Sequence, residues 1–218
     1  MDLKQKLCLI TGASRGLGAA IALEIAKQQG QVIAVARTIG ALEEMDDQIQ
    51  NLGGAATLVP LDITARQGVQ QLGASLHERW GGIDLWVHTA IHAAPLTPAN
   101  HIDSKDLQKS IDINLTASQA LIESIDPLLR AKQGQAIYVT DPHATGKFFG
   151  AYGATKSAQI ALFQHWAAEM RAAKLNVTGF DAKPMPTATR ARFYPGEDRS
   201  KLTPCATEAK RLLTALKT

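Results

Sequence analysis

Little in this chain offers a covalent or metallic staple. Among 218 residues there are two cysteines, Cys8 and Cys205, at opposite ends, which leaves no disulfide framework and no cysteine-based zinc spacing. Cys8 falls inside an apolar run, where a reduced, buried thiol is the ordinary state. His77, His92, His101 and His165 follow no metal-ligand spacing, so no metal is expected. Charge of one sign is also scarce: 23 basic against 20 acidic residues gives a net +3. The densest basic cluster, Arg190 to Arg192, holds only two arginines and excludes a nucleic-acid footprint. No apolar run is long enough to cross a bilayer. Met1 to Lys6 runs straight into a strand pattern without the apolar core of a signal peptide, which sets the expectation of a cytoplasmic protein. Repeats, linkers and low-complexity tracts are missing too, so residues 1–218 are read as one domain.

What is present is ordinary globular composition, 45% hydrophobic and 20% charged. Short apolar runs alternate with longer helical patterns. Strands are expected at Leu7–Thr11, Val32–Ala36, Ala56–Leu61, Leu85–Thr89, Ala136–Thr140 and Asn176–Ala182. Helices are expected over Gly16–Gln29, Ile39–Leu52, Ala65–Trp80, Lys105 to about Ala131, Ala151–Ala173 and about Pro204–Lys217. Near-continuous apolar strands separated by helices describe a parallel sheet covered on both faces. Right-handed crossovers then give an α/β, Rossmann-type doubly wound fold. Residues 184–203, rich in proline and arginine, read as a surface loop or lid near the strand ends.

Two local patterns carry chemistry. The first is Thr11-Gly12-Ala13-Ser14-Arg15-Gly16-Leu17-Gly18, between the first strand and the first helix. Its glycines permit a tight turn and close approach of a pyrophosphate, and the following helix N-terminus offers free N–H groups to phosphates. The second strand ends Val35-Ala36-Arg37-Thr38 with no carboxylate to hold a ribose 2′-hydroxyl. Arg37, joined by Arg15, instead suits a 2′-phosphate, so NADP(H) is expected as cofactor; a solvated surface arginine is the alternative. The second pattern is Tyr152 and Lys156, four residues apart on one helix face. An ammonium beside a phenol lowers the phenol's pKa from ~10 toward working pH, and such a tyrosine can exchange a proton with a carbonyl oxygen or an alcohol.

Taken in order, the glycine pattern, Asp62, Asn114 and the Tyr152/Lys156 pair resemble the short-chain dehydrogenases/reductases, from about Lys6 to Thr189. The resemblance implies that Asp62, followed by Ile63, contacts adenine, although Asp62 also fits a helix cap ahead of Thr64. It implies a catalytic Tyr152, a Lys156 that also holds the nicotinamide ribose, and an Asn114 that props open a bend and anchors a water leading to the lysine. Ala90 is retained from the family's Asn-Asn-Ala-Gly segment. After the sixth strand, Pro184 and either Thr187 or Thr189 would meet the nicotinamide.

Several positions depart from that pattern. The segment His88-Thr89-Ala90-Ile91 keeps only the alanine, and a β-branched Ile91 does not readily take a positive φ. The family's serine is missing. Counting back from Gly146 puts His143 in its place, as an imidazole donor to the carbonyl or as a loop residue without a role. The stretch from His143 to Tyr152 is short, and the usual seventh strand and glycine-rich tail are not expected. Phe148 and Phe149 read as a substrate wall or as part of a subunit interface. The helix from Tyr152 to Ala173 carries apolar residues on more than one side, which, with the Lys105–Ala131 helix, predicts a homodimer. The expected activity is NADP(H)-dependent hydride transfer between nicotinamide and a small-molecule carbonyl or alcohol. The alternative is a non-catalytic NADP(H)-binding protein acting as redox sensor or scaffold.

Overall fold

The computed structural model describes residues 2–216. Within them six strands form one sheet: β1 (Leu7–Thr11), β2 (Gln31–Ala36), β3 (Ala56–Pro60), β4 (Leu85–His88), β5 (Gln135–Thr140) and β6 (Asn176–Asp181). Their order is β3-β2-β1-β4-β5-β6, and every neighbouring pair is parallel. The helices are α1 (Gly16–Lys27), α2 (Ile39–Gln50), α3 (Arg66–Trp80), α4 (Ser104–Ile111), α5 (Ala117–Lys132), α6 (Gly150–Met170), α7 (Ala188–Phe193) and α8 (Cys205–Ala215). The expected α/β Rossmann-type sheet with helices on both faces is therefore the fold observed. Lys217, the expected end of the last helix, lies outside the described residues.

Alternation along the strands divides the apolar side chains between the two faces. Cys8 and Ile10 point toward α1, α2 and α8, and pack with Ile21, Ile25, Leu42 and Leu212. Leu7 and Leu9 point the other way, toward α3, α5 and α6, and pack with Leu72, Leu121 and Phe163. Both faces are covered, so β1 and β4 are buried along their whole length.

Two differences from the sequence reading bear on the site. The single helix expected from Lys105 to about Ala131 is α4 and α5 joined by a π-helical turn, Asp112–Thr116, that contains Asn114. Such a widened turn displaces one backbone segment without ending the helix, and no local sequence signal marks it. Residues 184–203 are not structureless, because they hold α7 and a 3₁₀ turn, Arg199–Lys201. Thr187 caps α7 by accepting a hydrogen bond from the Arg190 N–H at 3.1 Å.

Phe163 anchors the second face. It is fully buried, stacks on Tyr138 at 4.6 Å, and lies 5.5–6.0 Å from the rings of Trp86, His88 and Trp166. Phe163→Ala is expected to cost about 3–5 kcal/mol of folding stability through lost contacts and an unfilled cavity. Urea unfolding of the variant tests this, and a loss below ~1 kcal/mol would contradict the packing described.

Candidate functional site

A sheet wound outward in both directions leaves a crevice where β1 and β4 lie side by side at their C-terminal ends. Here the crevice is a cleft of about 410 Å³. Its floor is the turn from β1 into α1. Gly12 has φ +90°, and a Cβ there would come within 2.6 Å of the Ala90 nitrogen. A Cβ on Gly18 would overlap the Gly12 carbonyl. The loop after β4 is held down on this turn by the Thr89 hydroxyl, which donates to the carbonyls of Thr11 (3.0 Å) and Gly12 (3.2 Å). No side chain caps the N-terminus of α1 and its first turn holds no acid, so its leading N–H groups are open to an anion.

The residues expected to bind a dinucleotide all line this cleft: Gly12, Ser14, Arg15, Gly16, Leu17, Gly18, Arg37, Asp62, Ile63, Ala90, Tyr152, Lys156, Pro184, Thr187 and Thr189. Among the described residues the side chains of Arg15 and Arg37 form neither ion pair nor hydrogen bond, and both are exposed. Asp62 serves the cap reading as well: its carboxylate accepts from the Thr64 N–H (3.0 Å) and hydroxyl (2.8 Å) just before α3. Desolvation opposes ionisation there, but those bonds and the Arg37 charge outweigh it and hold the carboxyl below its usual range. The donor set therefore suits a phosphate-bearing dinucleotide: free amides and two free guanidiniums at one end, a carboxylate between. Thr187 closes the opposite wall, 3.4 Å from where a Gly16 Cβ would stand.

At the inner end of the cleft the arrangement departs from expectation. The Tyr152 hydroxyl donates to the Asp141 carboxylate at 2.9 Å. Burial, and then the Asp141 charge, push the phenol's pKa above its ordinary value rather than below it. Lys156 makes no hydrogen bond to Tyr152; its ammonium donates to the Val139 carbonyl (2.6 Å) and to Gln159 Oε1 (2.7 Å). Burial among neutral partners lowers its pKa to about 8, against the raising effect of Asp141. The expectation that Lys156 acidifies Tyr152 is thus corrected for this structure, because the ammonium is satisfied elsewhere and a carboxylate takes its place beside the phenol. His143 lines the cleft as an exposed residue, and its backbone N–H donates to Asp141 at 3.2 Å.

Asn114 does not line the cleft. It is fully buried behind it, where Oδ1 accepts from the His92 N–H (2.7 Å) and Nδ2 donates to the His92 carbonyl (3.0 Å) and Thr155 Oγ1 (3.0 Å). It clamps the loop after β4 to α6. Ile91, in that loop, has no positive φ; the backbone takes another route and leaves Ile91 lining the cleft.

Sequence reasoning missed a buried polar network behind Lys156. His88 Nδ1 lies 2.8 Å from the Thr11 hydroxyl, and Nε2 lies 3.2 Å from both Ser118 Oγ and the Gln159 amide nitrogen. Trp86 donates to Thr11 (3.1 Å), and Ser118 donates to the Asn114 carbonyl (2.8 Å) while accepting from the Gln159 amide (2.9 Å). Full burial drops His88 to about 3, so it stays neutral. The network reaches Lys156 through Gln159 and fixes where the ammonium sits. Asp141 was missed too, although the strand end carried the signal: β5 stops at Thr140, and counting forward from there reaches Asp141 before His143. An aromatic cover completes the site, with Phe149 and Phe193 at 6.3 and 4.8 Å from the Tyr152 ring. Phe148, by contrast, is exposed.

The chain matches the short chain dehydrogenase family model over residues 6–198. It is 30% identical over 181 residues to a fatty acyl-CoA reductase of Acinetobacter baylyi, covering 81% of this chain and 61% of that protein. An uncharacterized oxidoreductase of Listeria monocytogenes is 30% identical over 160 residues, which is 72% of this chain and 64% of the relative. The chain thus spans about three fifths of the length of these curated relatives. Among solved structures, a short chain dehydrogenase of Escherichia coli complexed with NADPH superposes with a TM-score of 0.92 at 26% identity, covering 97% of this chain and 91% of that one. One from Pseudomonas syringae gives 0.90 at 27% identity, covering 94% and 86%. A match of this extent, on a sheet of six parallel strands covered by helices, makes the chain a member of the short-chain dehydrogenase/reductase family.

Proposed function

We propose that this chain is an NADP(H)-dependent oxidoreductase that acts on a small molecule at a polar double bond, a carbonyl or its nitrogen counterpart. The observation that carries it is one continuous cleft, with unpaired Arg15 and Arg37 beside the open N-terminus of α1 at one end and Tyr152 with Lys156 at the other. The cofactor, when bound, supplies or accepts the hydride. The α1 amides and Arg15 hold its pyrophosphate, Arg37 with Arg15 its 2′-phosphate, and Asp62 and Ile63 its adenine. Lys156 holds the ribose hydroxyls, while Thr187 or Thr189 orients the carboxamide. Tyr152 faces the reacting double bond and is the proton donor where its heteroatom is oxygen, Phe149 and Phe193 cover the phenol, and Asn114 positions the loop after β4.

NADP(H) is favoured by the two guanidiniums and the lack of any acid at the end of β2, and solved relatives described as complexed with NADP or NADPH support it. A second reading, NADP(H) binding without turnover, is favoured by one observation: the carboxylate on Tyr152 is an acceptor where a carbonyl needs a donor. A homodimer built on the outer faces of α5 and α6 belongs to the proposal. Sedimentation of the protein at micromolar concentration is expected to give a dimer, and a monomer there would remove it.

Calorimetry is expected to show NADPH binding more tightly than NADH. Arg37→Asp should weaken NADPH roughly tenfold to hundredfold and leave NADH little changed, since one charge-assisted phosphate contact is lost and a repulsion added. Equal losses for both nucleotides would argue that Arg37 does not meet the 2′-phosphate. On aldehydes and ketones, Tyr152→Phe is expected to lower kcat by on the order of 10²-fold or more. Turnover matching the unaltered protein would remove Tyr152 as proton donor. NADPH binding with no turnover of either carbonyls or imines would favour the second reading.

A further inference from the structure

We infer that the substrate reduced at this site carries a protonated carbon–nitrogen double bond, an iminium, rather than a carbonyl. This rests on the reading of the cleft as a nicotinamide-dependent site and names its substrate class. The argument starts from Asp141. Its carboxylate lines the cleft and accepts hydrogen bonds from two neutral donors, the Tyr152 hydroxyl and the His143 N–H. Among the described residues it forms no ion pair. The nearby cations are engaged elsewhere: Lys156 with Val139 and Gln159, and Arg190 with both oxygens of Glu197 at 2.6 Å. The charges of Lys156 and Arg190 are felt at Asp141, but neither side chain touches it. A half-buried carboxylate contacted only by neutral donors, set against the residue that faces the reacting atom, favours direct contact with a cation in the cleft.

A neutral carbonyl oxygen fits badly here. To be protonated it must take the Tyr152 hydroxyl away from Asp141, which strands a carboxylate beside an oxygen that is itself gaining negative charge. An iminium reverses each of these terms. Its N–H donates to Asp141, its positive charge is neutralised there, and Tyr152 keeps its bond and holds the carboxylate in place. In the reaction, a reduced nicotinamide nucleotide gives up a hydride whose electron pair forms the new C–H bond. The C=N π pair withdraws onto nitrogen as its lone pair, and the product is a neutral amine that takes a proton from solvent as it leaves. The nucleotide is oxidised as the iminium carbon is reduced, and no other reactant is needed.

Three measurements test this. First, without nucleotide, calorimetry compares 2-methylpyrrolidine, cationic at neutral pH, with 2-methylcyclopentanone, its neutral ring counterpart. The amine is expected to bind roughly tenfold to hundredfold more tightly, as a charge-assisted bond to a carboxylate allows, and Asp141→Asn should abolish the difference. Second, with NADPH, kcat/KM for 2-methyl-1-pyrroline should exceed that for the ketone. Asp141→Asn or Asp141→Ser, each of which installs a donor, should shift that ratio toward the ketone by tenfold or more, with NADPH titration of the variants confirming an intact cleft. Third, Tyr152→Phe should cost the imine much less than it costs the ketone. Equal affinity for amine and ketone, or a ratio unchanged in both Asp141 variants, overturns the inference. Ketone reduction that exceeds imine reduction overturns it while leaving the nucleotide-dependent function in place. A failure of NADPH to bind falls on that function instead, and the nucleotide-free comparison still decides the role of Asp141.

Discussion

A parallel sheet that winds outward from β1 in both directions must open where its two halves part, and the rest of this molecule is arranged around that constraint. The gap lies between the ends of β1 and β4, so whatever closes its floor must turn sharply without filling it. Gly12 and Gly18 do this: side chains there would strike the Ala90 nitrogen and the Gly12 carbonyl. The same two strand ends set the far wall. β5 pairs with β4 and carries its last residue, Thr140, to the rim, which brings Asp141 within reach of a tyrosine on the first turns of α6. One topological fact thus fixes the distance between the glycine turn and Tyr152 across the cleft.

Behind the rim, the polar groups form a chain with few loose ends. Thr11, His88, Ser118, Gln159 and Lys156 are each buried and each bonded to the next. In a low-dielectric interior such a chain holds its members in one geometry, because an unpaired member would bear the full cost of desolvation. The consequence at the surface of the cleft is that the Lys156 ammonium points to Val139 and Gln159. Any acceptor arriving there competes with a carbonyl and an amide for its protons, rather than with a phenol.

The fold was legible because its signals are periodic and repeated: six apolar runs, each followed by a helical pattern, allow few other architectures. That the glycine turn and the two arginines meet in one cleft was legible because glycines and arginines act through backbone freedom and charge, both properties of residue type. The inner end was less so. The π-helical turn at Asp112–Thr116 depends on how Asn114 bonds to the His92 backbone and to Thr155, contacts 22 and 41 residues away along the chain. The pairing of Tyr152 with Asp141 hangs on the length of the shortened β5–α6 connection, and a spacing taken from Gly146 pointed to His143 rather than to the carboxylate that meets the phenol. Lys156 illustrates the same limit: the i, i+4 spacing puts it on the face of Tyr152, but its partner was decided by β5 and by a glutamine three residues on.

The departures from the family pattern are also not equivalent in kind. His88 and Ile91 replace an asparagine and a glycine, yet the structure absorbs both: His88 finds three polar partners, and the loop reaches Ile91 without a positive φ. Substitutions absorbed this way are neutral for chemistry, since the interior itself restores what they disturb. Asp141, which no motif singled out, is different. Its bonds come from neutral donors, its charge is unmatched by any ion pair among the described residues, and it meets the cleft rather than the core. A carboxylate that no protein cation touches is contacted by water or by a ligand. Phe149 and Phe193, packed over the neighbouring phenol, limit what water can do. The carboxylate at the rim is therefore the group whose direct charged contact comes from outside the chain.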